Sequence, residues 1–275
     1  MWCNPAMLRK ATRDDLPALE DLLRRANDSP YPAEVVAEEK CFGRGISGAP
    51  MTLIDDRHRG LVVVCGRYIR LLAVDRDHRR EGLGSELLRE AEGAGGRVIC
   101  AEPGNYLTPG LSLADSGSLA FLHGHGYRQT ADTWDLDVTL GSFVSPSHVS
   151  RVSDETRDEV LSFVEEEFGG IWRYEAALAA DGPRASLFYV RSGTTVTGFA
   201  ACDGNNRGLG SFGPTGVLES ERGKGHGRAL LHAALAELQT GGHEHAIIPW
   251  TDEFDFYRKS CGAVPAHQFV TMEKG

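Results

Sequence analysis

The pattern Arg-x-x-Gly-x-Gly occurs twice in this 275-residue chain, as Arg79–Gly84 and Arg222–Gly227, 143 positions apart. Each copy follows a strand-like run and precedes an amphipathic helix, and Val74 and Val217 stand five positions ahead of the two arginines. Glycines let backbone N–H groups approach an anion with no Cβ in the way. A helix N-terminus adds free donors and the positive end of a dipole, and a leading arginine adds a charge-assisted donor. A glycine turn that merely starts a helix accounts for one copy. Two copies in matching context point instead to a cradle for a pyrophosphate.

The rest of the chain repeats around these turns. Met7–Ala11 leads through Thr12-Arg13-Asp14-Asp15 into Leu16, Leu19, Leu22 and Leu23 at helical spacing; Val149–Val152 leads through Ser153-Asp154-Glu155 into Val160, Leu161, Phe163 and Val164. Strand-like runs follow at Met51–Asp55 and Gly60–Val74, then at Ser186–Arg191, Thr195–Cys202 and Leu209–Leu218. After each turn Leu83, Leu87, Leu88 and Ala91, or Leu230, Leu231, Ala234, Leu235 and Leu238, share one helix face. A strand (Arg97–Ala101; His245–Trp250), a short helix with an aromatic start and a final strand complete each copy. Two domains are therefore expected, 1–140 and 149–275, joined by the turn-rich linker 141–148, and 275 residues suit two domains.

Charge bounds the partners. There are 17 basic against 21 acidic residues up to Leu140 and 12 against 18 after it, so the net −10 is spread over both halves. Generic nucleic-acid binding needs clustered Lys and Arg and is disfavoured; cationic acceptors suit this field better than phosphorylated ones. No apolar run approaches a membrane span. Met1-Trp2-Cys3-Asn4-Pro5 does not read as a signal peptide, and the six cysteines form no C-x-x-C pair, which leads to the expectation of reduced thiols in a cytoplasmic protein. His123-x-His125 and His243-x-His245 supply too few ligands for a metal, so none is expected. Gly208-Leu209-Gly210-Ser211-Phe212-Gly213 spells a dinucleotide fingerprint, but Pro214-Thr215-Gly216-Val217 after it reads as strand, not helix.

The two turns resemble the acyl-CoA-binding signature, Arg/Gln-x-x-Gly-x-Gly/Ala, of the GCN5-related N-acetyltransferase (GNAT) family, and the resemblance runs over nearly the whole chain. It implies an α+β fold of two tandem domains, each a mixed, mostly antiparallel sheet splayed between its fourth and fifth strands and flanked by helices. It also implies acetyl-CoA as co-substrate, its pyrophosphate on the turn and its pantetheine in the splay. Carried over, the phosphate-binding positions are Arg79, Arg80, Glu81, Gly82, Leu83, Gly84 and Ser85, and Arg222, Gly223, Lys224, Gly225, His226, Gly227 and Arg228; backbone groups near Ala73–Val74 and Gly216–Val217 pair with pantetheine and polarise the thioester.

Acetyl transfer to an amine needs a neutral amine, a stabilised carbonyl oxygen and a proton for the departing thiolate. Phe254-Asp255-Phe256-Tyr257 resembles the family's late-helix pattern and makes Tyr257 the expected acid, packing beside Phe256 being its other reading. Leu122 stands in the first copy where Tyr257 stands in the second, and the insert Asn105-Tyr106-Leu107-Thr108-Pro109-Gly110 is either a source of another donor or a loop shaping a pocket. Asp252 is taken as the base because it follows the strand ending at Trp250, with Glu253, Asp203 and the run Glu165–Glu167 as other carboxylates. That run reads more simply as a solvated helix face. Cys261 reads as a buried thiol. The expected function is N-acetyl transfer to a small primary amine, with an amino sugar suggested by resemblance to tandem glucosamine/glucosaminide N-acetyltransferases. The protein is expected to act as a monomer or homodimer. The other reading is an acyl-CoA-binding sensor in which one or both domains do not turn over.

Overall fold

The computed structural model describes residues 7–26 and 31–275; Cys3 and the opening pentapeptide lie outside the described residues. In chain order the elements of the first copy are β1 (Leu8–Lys10), α1 (Leu16–Ala26), α2 (Ala33–Val36, continued as one π-turn over Ala37–Phe42), β2 (Met51–Asp55), β3 (Gly60–Cys65), β4 (Tyr68–Val74), α3 (Leu83–Gly93), β5 (Val98–Ile99), β6 (Leu111–Ser112), α4 (Ser116–Gly124) and β7 (Arg128–Thr139). Those of the second are β8 (Ser150–Arg151), α5 (Asp154–Phe168), α6 (Gly170–Ala180), β9 (Leu187–Ser192), β10 (Thr195–Cys202), β11 (Phe212–Val217), α7 (His226–Thr240), β12 (His245–Thr251), α8 (Phe254–Cys261) and β13 (Val264–Glu273). The expected α+β architecture of mostly antiparallel sheets flanked by helices is present. Among the described residues, no helix is long and apolar enough to cross a membrane.

Two compact units form, and they divide differently from the sequence copies. One runs to Asp132 and takes in Phe269–Gly275; the other is Thr133–Gln268. The reason is strand pairing. In the first unit β5 pairs β13, with Met272 opposite Ile99; in the second β12 pairs β7, with Ile248 opposite Leu136. Each copy's last strand thus lies beside the other copy's fifth. The expected linker 141–148 lies inside the second unit, where Phe143 N–H donates to the Gln239 side chain (3.2 Å).

In the first unit β1–β2–β3–β4 are antiparallel neighbours. The run Gly60–Val74 is two strands, broken at Gly66-Arg67. β4 and β5 are parallel and pair only at Tyr68↔Val98 and Ile69↔Ile99, so the remainder of β4 is free on that side. The expected face of α3 is buried: Leu83, Leu87, Leu88 and Ala91 pack on Val62, Val64 and Ile69. α1 buries Leu19 and Leu22 against Ile54, Leu61 and Val63 on the other face.

A buried polar cluster holds this unit together beside the free stretch of β4. Arg70, an extra residue where the register of β4 shifts against β3, is fully buried. Its Nε donates to Glu102 Oε2 (2.6 Å) and its Nη1 to the carbonyls of Lys40 (2.9 Å) and Gly43 (2.7 Å). Lys40 Nζ donates to Asn105 Oδ1 (2.9 Å), and Asn105 Nδ2 to the carbonyls of Glu39, Gly43 and Arg44. Burial pushes the Lys40 ammonium down to about 8. Asn105 therefore fastens the insert to the π-turn, and Tyr106 beside it is buried. Removing one member of a buried pair strands the other: Glu102→Ala is expected to cost about 3–5 kcal/mol. The calorimetric midpoint of this unit would fall by roughly 10 °C; an unchanged midpoint contradicts the assignment.

In the second unit β11–β10–β9–β8 are antiparallel. α7 buries Leu230, Leu231, Ala234, Leu235 and Leu238 on one sheet face with Phe188, Val190, Ala200, Leu136 and Ile248; α5 and α6 cover the other face with Val160, Leu161, Val164 and Ala176 on Leu187, Tyr189 and Phe199. Just ahead of β11, Ser211 forms an isolated parallel bridge with Ile247 of β12, with Ile247 N–H to Gly210 O at 2.9 Å. Beyond that bridge they part.

Candidate active site

Both glycine turns are built as helix N-termini. Gly82 caps α3 at φ 93° and Gly225 caps α7 at φ 88°, left-handed angles that a side chain resists. The first helical bond of α7 is Ala229 N–H to Gly225 O (3.0 Å), so the amides of His226, Gly227 and Arg228 precede the hydrogen-bonded ladder. In α3 Ser85 and Glu86 both bond Gly82 O at 3.1 Å, leaving Leu83 and Gly84 in that state. Gly84 and Gly227 lie against aromatic rings, Phe121 and Phe256, each 3.5–3.6 Å from where a Cβ would stand. The turns thus lean on their late helices, α4 and α8.

The side chains of the two turns differ from each other. Arg79 is exposed, and its Nε donates to Val74 O (3.2 Å) and its Nη2 to Ala26 O, so it braces the turn. Arg80 is exposed at φ 67°, where the second turn has Gly223 at φ 79°. Exposed Glu81 lies 3.6 Å from His78, buried Leu83 packs in the core, and Ser85 Oγ bonds His125 Nε2 (3.0 Å). In the second turn Arg222, Gly223, Lys224, Gly225 and Arg228 are exposed. Lys224 Nζ donates to Glu221 Oε1 (2.9 Å), and His226 Nε2 lies 3.6 Å from Glu221 Oε2. The cations free to meet an anion there are Arg222 and Arg228.

The opening beside each turn is the gap between the fourth and fifth strands. Ala73–Val74 end β4 and Gly216–Val217 end β11, each paired on one side only, with β3 or β10. Gly216 admits Phe168, whose ring would stand 2.5 Å from a Cβ there. Phe168 stacks on the half-exposed Trp172 (5.5 Å, 16°). Across the gap, β12 bulges: Leu136 faces Ile248 and Trp134 faces Thr251, so Pro249 and Trp250 together oppose one residue, Asp135. Trp250 has φ 54° and is 40% exposed.

Tyr257 is buried midway along α8, its ring edge-on to Phe212 (6.1 Å) and Phe256 (5.0 Å). Burial, then Cys261 and Glu253, hold its phenol pKa above the ordinary value, so it keeps its proton. Asp252 is exposed just beyond the bulge, its carbonyl accepting from Phe254 N–H (2.9 Å). Asp203, another carboxylate weighed from sequence, lies in the β10–β11 loop, with Gly208 N–H at 3.1 Å and His243 at 3.9 Å. His243 follows the far end of α7, a helix of 15 residues, so Asp203 stands away from the gap. Glu165, Glu166 and Glu167 are exposed on α5. Gly208–Gly213 is a loop entering β11, with no helix behind it. The five described cysteines are free, and burial raises the Cys261 thiol. Among the described residues, no three His, Cys, Asp or Glu side chains gather as a metal site.

One functional-looking residue escaped sequence reasoning. Asp135 is 3% exposed and accepts the Trp250 N–H at 3.1 Å. Burial pushes its carboxyl up to about 7, opposed only by that hydrogen bond. It lies 117 positions before Asp252, on a strand read as belonging to the first copy, so nothing local advertises it.

Matching the registers exposes three differences between the units. Val74 corresponds to Val217, so the bulge residue Arg70 corresponds to Gly213. Arg70 fills the first unit with its ion pair; Gly213, at φ 122°, has open space where a Cβ would be. Leu122, buried in the first core, stands where Tyr257 stands. Since Met272 pairs Ile99 as Leu136 pairs Ile248, Thr271 stands where Asp135 stands.

Residues 152–263 match the model of the acetyltransferase (GNAT) family. No curated protein sequence matches the chain. Among solved structures, a GCN5-related glucosamine N-acetyltransferase region of a fungal multi-domain GH3 β-N-acetylglucosaminidase aligns over 98% of this chain with TM-score 0.76 and 17% identity; the chain spans 38% of that protein. A GCN5-related N-acetyltransferase from Sphaerobacter thermophilus aligns over 100% of this chain and 96% of its own, with TM-score 0.68 and 16% identity. A tandem GNAT protein from the clavulanic acid biosynthesis pathway aligns over 97% of both chains, with TM-score 0.67 and 14% identity. At these identities the likeness is one of fold.

Proposed function

Since residues 152–263 match the model of the acetyltransferase (GNAT) family, we propose that the second unit moves an acetyl group from acetyl-CoA to the primary amine of a small acceptor by direct attack in a ternary complex. The observation that carries this reading is the open gap at Gly213 with Tyr257 beside it, behind a helix N-terminus that presents unladdered amides and two exposed arginines. The pyrophosphate sits on the turn Arg222–Arg228, held by the amides of the first helical turn and by Arg222 and Arg228. The pantetheine runs along the unpaired edge of Gly216–Val217. Tyr257 gives its proton to the departing thiolate; its raised pKa suits it to donate rather than to ionise.

The acceptor reading is an amino sugar. It rests on the glucosamine N-acetyltransferase region among the similar folds, on the acidic field of the chain and on the exposed rings of Trp172 and Trp250, flat apolar faces suited to a sugar. The first unit binds acyl-CoA without turnover: Arg70 and Glu102 occupy the acceptor end of its gap and Leu122 offers no proton.

Free-thiol release from acetyl-CoA by the full chain, with glucosamine first and other primary amines after it, tests both statements. Turnover abolished by Gly213→Arg, which installs the first unit's residue in the second gap, and insensitive to Arg70→Gly is expected. Turnover that survives Gly213→Arg assigns the chemistry elsewhere.

A further inference from the structure

We propose that Asp135, carried by β7 opposite the Pro249-Trp250 bulge of the second unit, is the group that takes the proton from the acceptor's ammonium before attack. The proposal rests on acetyl transfer in the second unit as read above and deepens it by naming the base.

The placement is topological. Side chains alternate along β7. Trp134, Leu136 and Val138 pack on the α7 side with Phe254, Ile248 and Tyr257, which puts Asp135 on the opposite face, the side of α5 and α6. The opening of the sheet lies on the other side of β12, where β11 and β12 separate after Ser211↔Ile247, and the Pro249-Trp250 bulge stands between it and Asp135. Relative to a thioester in the gap, Tyr257 is on one face of the sheet and Asp135 is directed to the other, behind the bulge of β12, so proton donor and proton acceptor do not compete for one position.

The environment fits a base. Among the described residues no cation is paired with Asp135; on its own strand Asp137 is paired with His245 of β12 (3.0 Å), and beyond the bulge Asp252 is exposed. Its one recorded hydrogen bond is from Trp250 N–H. An ion pair would hold a carboxylate in its charged form and blunt it as a base; burial alone makes it a stronger proton acceptor than an ordinary aspartate. The first unit supplies the contrast. Thr271 at the same register position has no proton-accepting power near neutrality, and Leu122 replaces the acid in the same unit. Both proton-transfer groups are present together in one unit and absent together from the other.

The proton balance closes. The acceptor R–NH3+ loses a proton to the Asp135 carboxylate. The amine lone pair forms the C–N bond at the thioester carbon while the C–S bond breaks. The thiolate takes the Tyr257 proton, the tyrosinate recovers one from the amide nitrogen, and Asp135 returns its proton to solvent. The sum is R–NH3+ and acetyl-CoA giving the N-acetyl product, coenzyme A and H+.

The test compares the wild-type full chain with Asp135→Asn in thiol release with glucosamine and the amine panel between pH 5.5 and 9. Asparagine keeps an oxygen for the Trp250 N–H, so the bulge survives and only proton acceptance is lost. Turnover is expected to fall about 100-fold while acetyl-CoA affinity by titration stays within about twofold. The wild-type rise of kcat with pH, centred near 7, is expected to vanish. Asp135→Thr, the residue that β13 carries at the matching position, is expected to show the same loss and covers a failure of the first variant to fold. A variant that keeps wild-type kcat and its pH limb overturns the proposal while leaving transfer in place. No thiol release by the wild type with any amine overturns the transfer reading itself, and this proposal with it.

Discussion

Tyr257→Phe is expected to lower kcat for thiol release by about 100-fold or more while leaving the acetyl-CoA dissociation constant within about twofold, because a positioned acid contributes on that scale only in the transition state. The substitution removes one oxygen and keeps the ring, so the edge-on packing with Phe212 and Phe256 is retained. That separates the two readings of this residue: a merely structural tyrosine tolerates the change in kcat, whereas an acid does not. Burial raises the phenol pKa, so the activity is not expected to fall on the alkaline side through ionisation of Tyr257 below pH 9. Equal losses in affinity and turnover, or no loss, would assign Tyr257 to packing.

Gly225→Val is expected to weaken acetyl-CoA binding at the second unit by about 100-fold in isothermal titration. Gly225 sits at φ 88°, and a Cβ there meets no protein atom within 4 Å, so the fold has room for the side chain. Two costs remain. A β-branched residue in the left-handed region loses on the order of 1–2 kcal/mol, and the new side chain stands in front of the amides that meet the pyrophosphate. Each 1.4 kcal/mol is a factor of ten in affinity. The matching Gly82→Val probes the first turn separately, and Arg222→Glu probes charge without backbone strain. Unchanged binding in Gly225→Val would place the anion elsewhere.

Much of the local structure was legible. The apolar faces of α3 and α7 are buried residue for residue, because helical periodicity is a local property of spacing. The glycine turns sit between strand and helix as expected. The exchange of final strands was not legible. The Leu136↔Ile248 and Met272↔Ile99 pairings join segments more than 110 positions apart, and nothing in either strand's alternation names its partner. Asp135 was not singled out for that reason: a carboxylate was sought after Trp250 in sequence, and the one beside Trp250 in space arrives on another strand. The bracing contacts of Arg79 were not legible for a related reason. Its carbonyl partners, Val74 and Ala26, are supplied by the fold.

The sequence by itself determined that one strand–turn–helix pattern is present twice, that its glycines open the two helices, and that only one late helix carries a tyrosine. All of these depend on neighbouring residues and their spacing. The tertiary structure alone decided which strand closes each unit, that Arg70 fills one gap while Gly213 leaves the other open, and that Asp135 rather than Asp252 is the carboxylate buried against the bulge. Those depend on long-range pairing, and burial, which sets the Asp135 carboxyl near neutrality, exists only once the strands have met.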